Sequence, residues 1–132
     1  MNGDDYSGYL QGFKWDAMLT VTFRKPRKDP IYNRQQIWNS EISSFAKRAF
    51  LISEPHTTGF LHYHGLVKFV SGAGGPKHMC NWLETNLTNR FGWSAVSPIR
   101  NMQEVAGYCS KYVVKSIEDS AIDYDFMGDW SK

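Results

Sequence analysis

The sequence predicts an α+β fold in which helices pack against a mainly antiparallel sheet of about five strands. Strand-like and helix-like segments follow one another in the order β-α-β-β-α-β-α, which is typical of ferredoxin-like sheets. A length of 132 residues suits one domain with a core of its own. Hydrophobic residues make up 42% of the chain and charged residues 21%, as in soluble globular domains.

The predicted strands are short runs rich in β-branched and aromatic residues. The first covers residues 17–23 and ends at a basic loop that contains prolines. The second and third, 49–54 and 60–70, flank Thr57-Thr58-Gly59 and are predicted to form a hairpin with a three-residue loop. The fourth, 93–99, alternates between apolar and polar residues.

The predicted helices show apolar residues at helical spacing. The first covers 34–47, and the second covers 77–87 after a glycine-rich loop. The third begins with Asn101 as N-cap and Glu104 three residues later, a capping-box pattern, and extends to about residue 116. The residues expected to face inward from the first two helices are Ile37, Trp38, Ile42, Phe45, Ala46, Met79, Trp82 and Leu83.

Charge is unevenly distributed along the chain. Residues 14–116 contain 14 basic and 6 acidic residues, whereas residues 117–132 contain one basic and five acidic residues. A basic body suits a polyanionic partner such as nucleic acid, although an ordinary solvated surface has the same composition. We predict a domain over residues 1–116, followed by an acidic C-terminal tail, short helix or linker start over residues 117–132.

The sequence also bears on location and redox state. No apolar run approaches the ~20 residues that span a bilayer. The first residues are polar and acidic, unlike a signal peptide, so an intracellular protein without a membrane partner is expected. Cys80 and Cys109 form no zinc-binding pattern, and both are predicted to be free thiols.

The predicted hairpin offers a candidate metal site. His62 and His64 are two residues apart on one strand, so their side chains point to the same face. With the three-residue loop, Glu54 lies directly opposite His62, and Ile52 lies opposite His64. Two imidazoles and one carboxylate suit Mn²⁺ or Mg²⁺; the alternative is an ordinary half-exposed sheet face. His56 is interpreted as a loop or DNA-contacting residue.

The third predicted helix carries a candidate phosphate-handling face. Tyr108, Lys111, Tyr112 and Lys115 share this face at positions i, i+3, i+4 and i+7. A tyrosine with its free pKa of ~10 becomes a nucleophile when a cation favours the phenolate, and Lys111 or a bound metal would do so. The alternative is an amphipathic helix with half-buried tyrosines. The apolar stripe predicted to pack this helix is Met102, Ala106, Cys109 and Val113.

Three segments, taken in order, resemble motifs of the HUH endonuclease superfamily, specifically rolling-circle replication initiators of circovirus-like viruses, small single-stranded DNA viruses and plasmids. The strand 18–23, Met-Leu-Thr-Val-Thr-Phe, resembles the first motif of this family. His62-Tyr63-His64 resembles the histidine-hydrophobe-histidine motif. Tyr108-Cys109-Ser110-Lys111 resembles the Y-x-x-K motif in the form seen in circovirus-type initiators. The resemblance covers about residues 15–116.

This resemblance implies a function. Glu54, His62 and His64 would hold the metal, Tyr108 would attack the scissile phosphate of single-stranded DNA, and Lys111 would position the phosphate or activate the tyrosine. The product would be a 5′-phosphotyrosyl link and a 3′-hydroxyl, and the reverse transfer would close the circle. The implied partners are an origin hairpin or melted origin, and a helicase domain or host helicase. The implied location is the cytoplasm of a prokaryotic host or the nucleus of a eukaryotic one.

Two features depart from the pattern of circovirus-like initiators. Tyr112 follows Lys111, so it is either a second nucleophile, as in initiators of small tailless bacteriophages, or a packing or DNA-stacking residue. No Walker A sequence is present, because Gly75 is followed by Pro76, Lys77 and His78.

Several basic residues extend the hypothesis beyond the motifs. Residues expected to grip the DNA backbone are Arg24, Lys25, Arg27, Lys28 and Lys115. Trp15, Trp38, Trp82 and Trp93 are expected to lie in the core. Two other functions remain open: a single-stranded nucleic-acid-binding module without chemistry, and a metal-dependent hydrolase that uses water.

Overall fold

The computed structural model describes residues 8–24, 29–55, 61–72, 74–113 and 123–131. Its strands are β1 (Ala17–Thr22), β2 (Ala46–Pro55), β3 (Leu61–Phe69), β4 (Ser94–Pro98) and β5 (Asp123–Gly128). Its helices are α1 (Pro30–Ile37), α2 (Pro76–Arg90) and α3 (Met102–Tyr108). A π-helical turn extends α1 over Trp38–Ile42, and another extends α3 over Cys109–Val113. Residues 8–11 are also helical.

The five strands form one antiparallel sheet in the order β4-β1-β3-β2-β5, which confirms the predicted α+β class. β3 lies between β1 and β2, and β1 lies between β3 and β4. In the sheet, β3 therefore separates the two strands of the unit β1-α1-β2, and β1 separates the two strands of the unit β3-α2-β4, as in ferredoxin-like sheets. This interleaving places β1 and β3, which carry Thr20 and His64, at the centre of the sheet.

The two faces of the sheet are covered by different helices. On one face, Leu19, Val21 and Val67 pack in a single cluster with Ile37 of α1 and Leu83 of α2. On the other face, a second cluster contains buried residues of β2 and β3, the segment before β1, and α3. The buried members of this second cluster are Leu10, Phe13, Trp15, Phe50, Ile52, Leu66, Val105, Tyr108 and Cys109. We call the second surface the α3 face.

The first helix begins and ends earlier than predicted. It starts at Pro30, with the Asp29 side chain accepting a hydrogen bond from the Tyr32 backbone N–H at 3.1 Å. An N-cap aspartate followed by proline is a strong start signal, but the surrounding basic loop masked it in the sequence. The helix and its π-helical turn end at Ile42, and Ala46 already belongs to β2.

The α3 helix is capped as predicted but buries a different stripe. The Asn101 side chain accepts a hydrogen bond from the Glu104 backbone N–H at 3.1 Å. Val105, Tyr108 and Cys109 are buried, whereas Met102 is 54% exposed. The predicted stripe is therefore wrong at Met102 and confirmed at Cys109, while Ala106 is half-buried and the Val113 side chain lies outside the described residues. Tyr108 is buried because the sheet below offers an aromatic cluster that accommodates its ring.

The acidic segment 117–132 is not a tail, short helix or linker where the structure describes it. Asp123–Gly128 form β5, which pairs antiparallel with β2 from Arg48–Gly128 to Ser53–Asp123. Arg34 of α1, only 1% exposed, binds two carboxylates of this strand, Asp125 at 2.8 Å and Asp123 at 3.0 Å. Two of the five acidic residues that suggested a solvated tail are therefore partners of a buried arginine.

Two of the four tryptophans predicted to be core residues are exposed. Trp15 is buried and Trp38 packs against the first core cluster, as predicted. Trp82 is 45% exposed and Trp93 is 64% exposed. Their places at helical or strand spacing suggested burial, but Trp93 precedes β4, which is an edge strand of the sheet that the described residues form. Cys80 and Cys109 are both buried free thiols, as predicted.

Gly92 connects α2 to β4 and is expected to tolerate no side chain. Its φ is +149°, and an added Cβ would collide with the Thr22 carbonyl oxygen and lie 2.7 Å from the Arg24 nitrogen. Gly92→Ala should lower the free energy of unfolding by about 3 kcal/mol. The matched control is Gly107→Ala in α3, where nothing lies within 4 Å and alanine should stabilise the helix. Equal urea midpoints for the two variants would contradict this prediction.

Across the described ranges, every helix is too short or too polar to cross a lipid bilayer.

Candidate functional site

The predicted metal ligands lie on the α3 face of two paired strands. β2 and β3 pair in the register Glu54–His62 and Ile52–His64, which confirms the predicted cross-strand arrangement. β1 lies on the other side of β3, with Thr20 opposite His64. The carboxylate and both imidazoles thus share one sheet face and one end of the hairpin. His56 lies outside the described residues.

His64 is held between a strand and the helix above it. Its side chain is buried, and Nδ1 lies 3.3 Å from the Thr20 hydroxyl. The imidazole stacks on the Tyr112 ring, with centroids 4.0 Å apart and planes 21° apart. These contacts fix the plane of the His64 ring and leave Nδ1 on the Thr20 side.

The donor set, two imidazoles and one carboxylate, fits a divalent cation in its chemistry. The ring centroids of His62 and His64 are 6.4 Å apart. With metal–nitrogen bonds of ~2.1 Å, two imidazoles on one ion have centroids roughly 4.6 Å apart at right angles and roughly 6.5 Å apart on opposite sides of the ion. Within the described ranges, no three His, Cys, Asp or Glu side chains already converge as a metal-holding group. Metal binding by Glu54, His62 and His64 therefore stays a prediction.

Tyr108 is more deeply buried than the sequence indicated. Its side chain is only 5% exposed, and its ring meets Phe50 edge-on at 6.4 Å. The hydroxyl is buried without a hydrogen-bond partner among the described residues. Burial raises the pKa of Tyr108 well above its ordinary value, with smaller contributions from Cys109 and Tyr112. A buried hydroxyl without a partner is unusual, and sites that receive a ligand are one place where it occurs.

Tyr112 and Lys111 form the upper edge of the site. Tyr112 is half-buried, and its ring centroid lies 5.0 Å from that of Tyr108. Lys111 is exposed, with Nζ 5.1 Å from the centre of the Tyr112 ring. The Lys111 ammonium group therefore makes a cation–π contact with Tyr112. That Lys111 activates Tyr108 stays a prediction. Tyr108 ends the α-helical part of α3, and Tyr112 lies in the π-helical turn that follows.

These side chains enclose a cleft between α3 and the centre of the sheet. Its volume is about 190 Å³. Both tyrosines, His64 and Thr20 line it, and Ala95 and Ser97 of β4 close the far side. We call it the tyrosine cleft. It brings together the Tyr108 hydroxyl, which has no hydrogen-bond partner within the described ranges, a second phenol and an oriented imidazole, in a space large enough for a phosphate group.

Alkaline pH offers a test of the Tyr108 environment that does not depend on function. Because the fold favours the neutral phenol, the stability contribution of Tyr108 is full below pH ~10 and is lost above it, by up to about 1.4 kcal/mol per pH unit. Burial also raises the pKa of Cys80 to about 11, so Cys80 adds its own loss of folding stability as the pH rises above ~9. In a Cys80→Ala background, urea unfolding from pH 8 to 11 should show that the free energy of unfolding falls as the pH rises. Adding Tyr108→Phe should make this fall smaller. An unchanged pH slope would contradict the burial of the phenol.

The predicted DNA-gripping residues lie mostly outside the described residues. This applies to Lys25, Arg27, Lys28 and Lys115. Arg24 is described, and its guanidinium donates hydrogen bonds to the backbone carbonyls of Thr88 and, at 3.0 Å, Asn89. Arg24 therefore stabilises the C-terminal end of α2, where a cation is favourable, and its contact with DNA stays a prediction.

Sequence reasoning missed the β1 and β4 side of the tyrosine cleft. Thr20 belongs to the motif-like strand 18–23 and alternates with the buried Leu19 and Val21, but its place opposite His64 follows only from the pairing of β1 with β3. Ala95 and Ser97 carried no signal, because small residues on an edge strand are common. No family model matches the chain, and the comparison with curated proteins found no match.

Proposed function

We propose that this chain is a metal-dependent endonuclease that nicks and rejoins single-stranded DNA through a tyrosine. The observation that carries the proposal is the tyrosine cleft, in which Tyr108 and Tyr112 lie against the sheet face that bears Glu54, His62 and His64. Its motifs resemble those of rolling-circle replication initiators, whose substrate is an origin hairpin or melted origin. Duplex origins would have to be opened by a helicase.

The residues of the cleft have distinct roles in this proposal. A scissile phosphate seated in the cleft would supply the partner that the Tyr108 hydroxyl lacks among the described residues. The Tyr108 oxygen then forms a bond to phosphorus as the bond to the 3′ oxygen breaks. The phenolic proton leaves to water, and the departing 3′ oxygen takes up a proton to become a hydroxyl. The diester is conserved as a 5′-phosphotyrosyl link, so the cut is reversible.

Positioning is the second contribution of the chain. Tyr112 and Thr20 hold the His64 ring in one plane, and Lys111 keeps a cation at the cleft edge. Mn²⁺ or Mg²⁺, when bound by Glu54, His62 and His64, would supply Lewis-acid stabilisation of the phosphate oxygens. Orientation of the phosphate for in-line attack accounts for much of the rate in such a site.

The burial of Tyr108 favours a second candidate function. A phenol whose pKa is raised by burial is a weaker nucleophile at neutral pH. Hydrolysis of DNA by water, with Tyr108 as a packing residue, requires no phenolate. The two functions differ in their products, because hydrolysis leaves no DNA attached to protein.

A doubly labelled oligonucleotide distinguishes the candidates. The purified chain is incubated with Mn²⁺ and a single-stranded library labelled with different dyes at its 5′ and 3′ ends, and the products are separated under denaturing conditions. The proposal expects the 3′ label to migrate with the protein and the 5′ label to appear in free fragments. Mass spectrometry of the phosphotyrosyl peptide then identifies the tyrosine.

Two results would reject the proposal. Cleavage without a protein-linked label indicates hydrolysis by water, and binding without cleavage indicates a single-strand-binding module. Glu54→Gln serves as the metal control, because it removes the charge and keeps the shape of the side chain. It should lower the yield of adduct and raise the Mn²⁺ concentration needed for half-maximal yield.

A further inference from the structure

The described chain contains two buried arginines with opposite surroundings. Arg34, 1% exposed, binds Asp123 and Asp125 and donates to the Ser53 hydroxyl at 2.5 Å. Arg48, 5% exposed, has no described carboxylate within 4.0 Å. A buried charge is normally paired, because its desolvation is costly. Arg34 satisfies that rule inside the protein, and Arg48 does not.

Arg48 uses few of its donors within the described chain. One Nη donates to the Lys14 carbonyl at 2.9 Å, and Nε is buried without a partner. The guanidinium carbon lies 4.7 Å from the centre of the Phe13 ring and 5.3 Å from that of Trp15. The rings hold the guanidinium in place and supply no anion. A guanidinium has five N–H donors, so Arg48 retains capacity for an anionic acceptor.

Arg48 lines an open cleft that is rich in lysine. This cleft has a volume of about 350 Å³, and we call it the Arg48 cleft. Lys14, Lys47 and Lys68 line it together with Arg48. Two acids lie nearby: Asp16 pairs with Lys68 at 3.2 Å, and Asp129 acts on Arg48 at longer range. Four cations against two acids leave the cleft positive.

The Arg48 cleft and the tyrosine cleft share strand β3 and one face of the sheet. Lys68 of β3 lines the Arg48 cleft, and His64 of β3 lines the tyrosine cleft. Four residues of strand span roughly 13 Å. At a rise of ~3.4 Å, a DNA strand covers this distance with about four nucleotides, and with fewer when extended.

We propose that the Arg48 cleft binds a backbone phosphate of the single strand whose scissile phosphate lies in the tyrosine cleft. This inference rests on the proposed function for the identity of the strand. Arg48 donates to the phosphate oxygens from a fixed position, and Lys14 and Lys47 neutralise the remaining charge. The site reads phosphate and not base, so it sets how the strand lies on the sheet.

The direct test is an NMR titration in EDTA, which requires neither metal nor cutting. The buried Arg48 Nε–H should give a resolved ¹H–¹⁵N signal, identified by its absence in Arg48→Met. We expect (dT)₁₂ to shift this signal to saturation at concentrations where inorganic phosphate and thymidine monophosphate cause no shift. Tighter saturation by either small phosphate would overturn the assignment to a nucleic-acid strand, and so would an unmoved signal.

The salt dependence of (dT)₁₂ affinity provides the second measurement. Arg48→Met replaces a buried cation with an apolar side chain of similar length, so folding should be retained. Arg48→Met and Lys14→Gln/Lys47→Gln should each weaken binding, by about tenfold for the double variant. Each lost phosphate contact should reduce the slope of log K against log salt by ~0.7. Lys77→Gln, an exposed lysine at the start of α2, should leave the slope unchanged.

The outcomes separate this inference from the proposed function. If DNA-protein adducts form and the Arg48 variants keep wild-type affinity and slope, the Arg48 cleft inference fails and the function stands. If the Arg48 signal shifts with (dT)₁₂ and no adduct forms with Mn²⁺, the endonuclease proposal fails and the phosphate site stands.

Discussion

Tyr108→Phe is expected to abolish the covalent DNA adduct and lower nicking by at least about 10⁴-fold. The substitution removes the oxygen that forms the phosphotyrosyl bond and retains the ring that packs on Phe50. Because the hydroxyl is buried without a described partner, its loss should leave the fold as stable as before, or more stable by about 1 kcal/mol. The measurements are adduct yield at fixed Mn²⁺ and urea unfolding.

Tyr112→Phe is the matched control for this prediction. Phenylalanine retains the stacking on His64, so the orientation of the imidazole should persist. Nicking within about tenfold of the wild type is expected if Tyr108 alone cuts. Adduct formation that survives Tyr108→Phe and disappears in Tyr112→Phe would move the nucleophile to Tyr112, the less buried of the two.

Asp123→Asn combined with Asp125→Asn should lower the free energy of unfolding by about 2–4 kcal/mol. Both carboxylates bind the Arg34 guanidinium, which is 1% exposed and has Ser53 as its other described partner. Without the two carboxylate charges, the Arg34 guanidinium is left as a buried cation with no described negative charge to compensate it. The carboxylates are themselves partly exposed, so the loss should fall short of that for a fully buried pair. Urea or thermal unfolding measures the change.

The ion-pair interpretation of this loss has its own test. Adding Arg34→Met to the double variant removes the stranded cation, so most of the lost stability should return. Asp129→Asn, just beyond β5 and not bound to Arg34, should have a much smaller effect. If Arg34→Met destabilises the double variant further, the buried charge is not the cause of the loss.

Local sequence patterns predicted much of the candidate site. The spacing of His62 and His64 placed both on one face, and the hairpin predicted Glu54 opposite His62, as the sheet register confirms. The Asn101 cap was predicted in the same way. These features depend on residues close together in the chain, where the two-residue period of a strand and the first turn of a helix decide the geometry.

Other features depended on partners far away in the chain. The acidic residues of β5 suggested a solvated tail until Arg34, 89 positions from Asp123, was found against them. The face of α3 that carries Tyr108 and Lys111 was predicted to handle phosphate, with an amphipathic helix whose tyrosines are half-buried as the alternative. Tyr108 instead packs on Phe50, which leaves Lys111 exposed at the cleft edge.

Periodicity and local caps were enough to predict the α+β class, the order of the elements along the chain and the strand face that carries the candidate ligands. The interleaving of the strands, the burial of Tyr108, the pairing of β5 with β2 and the lack of a described carboxylate partner for Arg48 emerge only in the folded chain. Burial and charge compensation depend on which surfaces meet, and those contacts join residues that no local pattern connects.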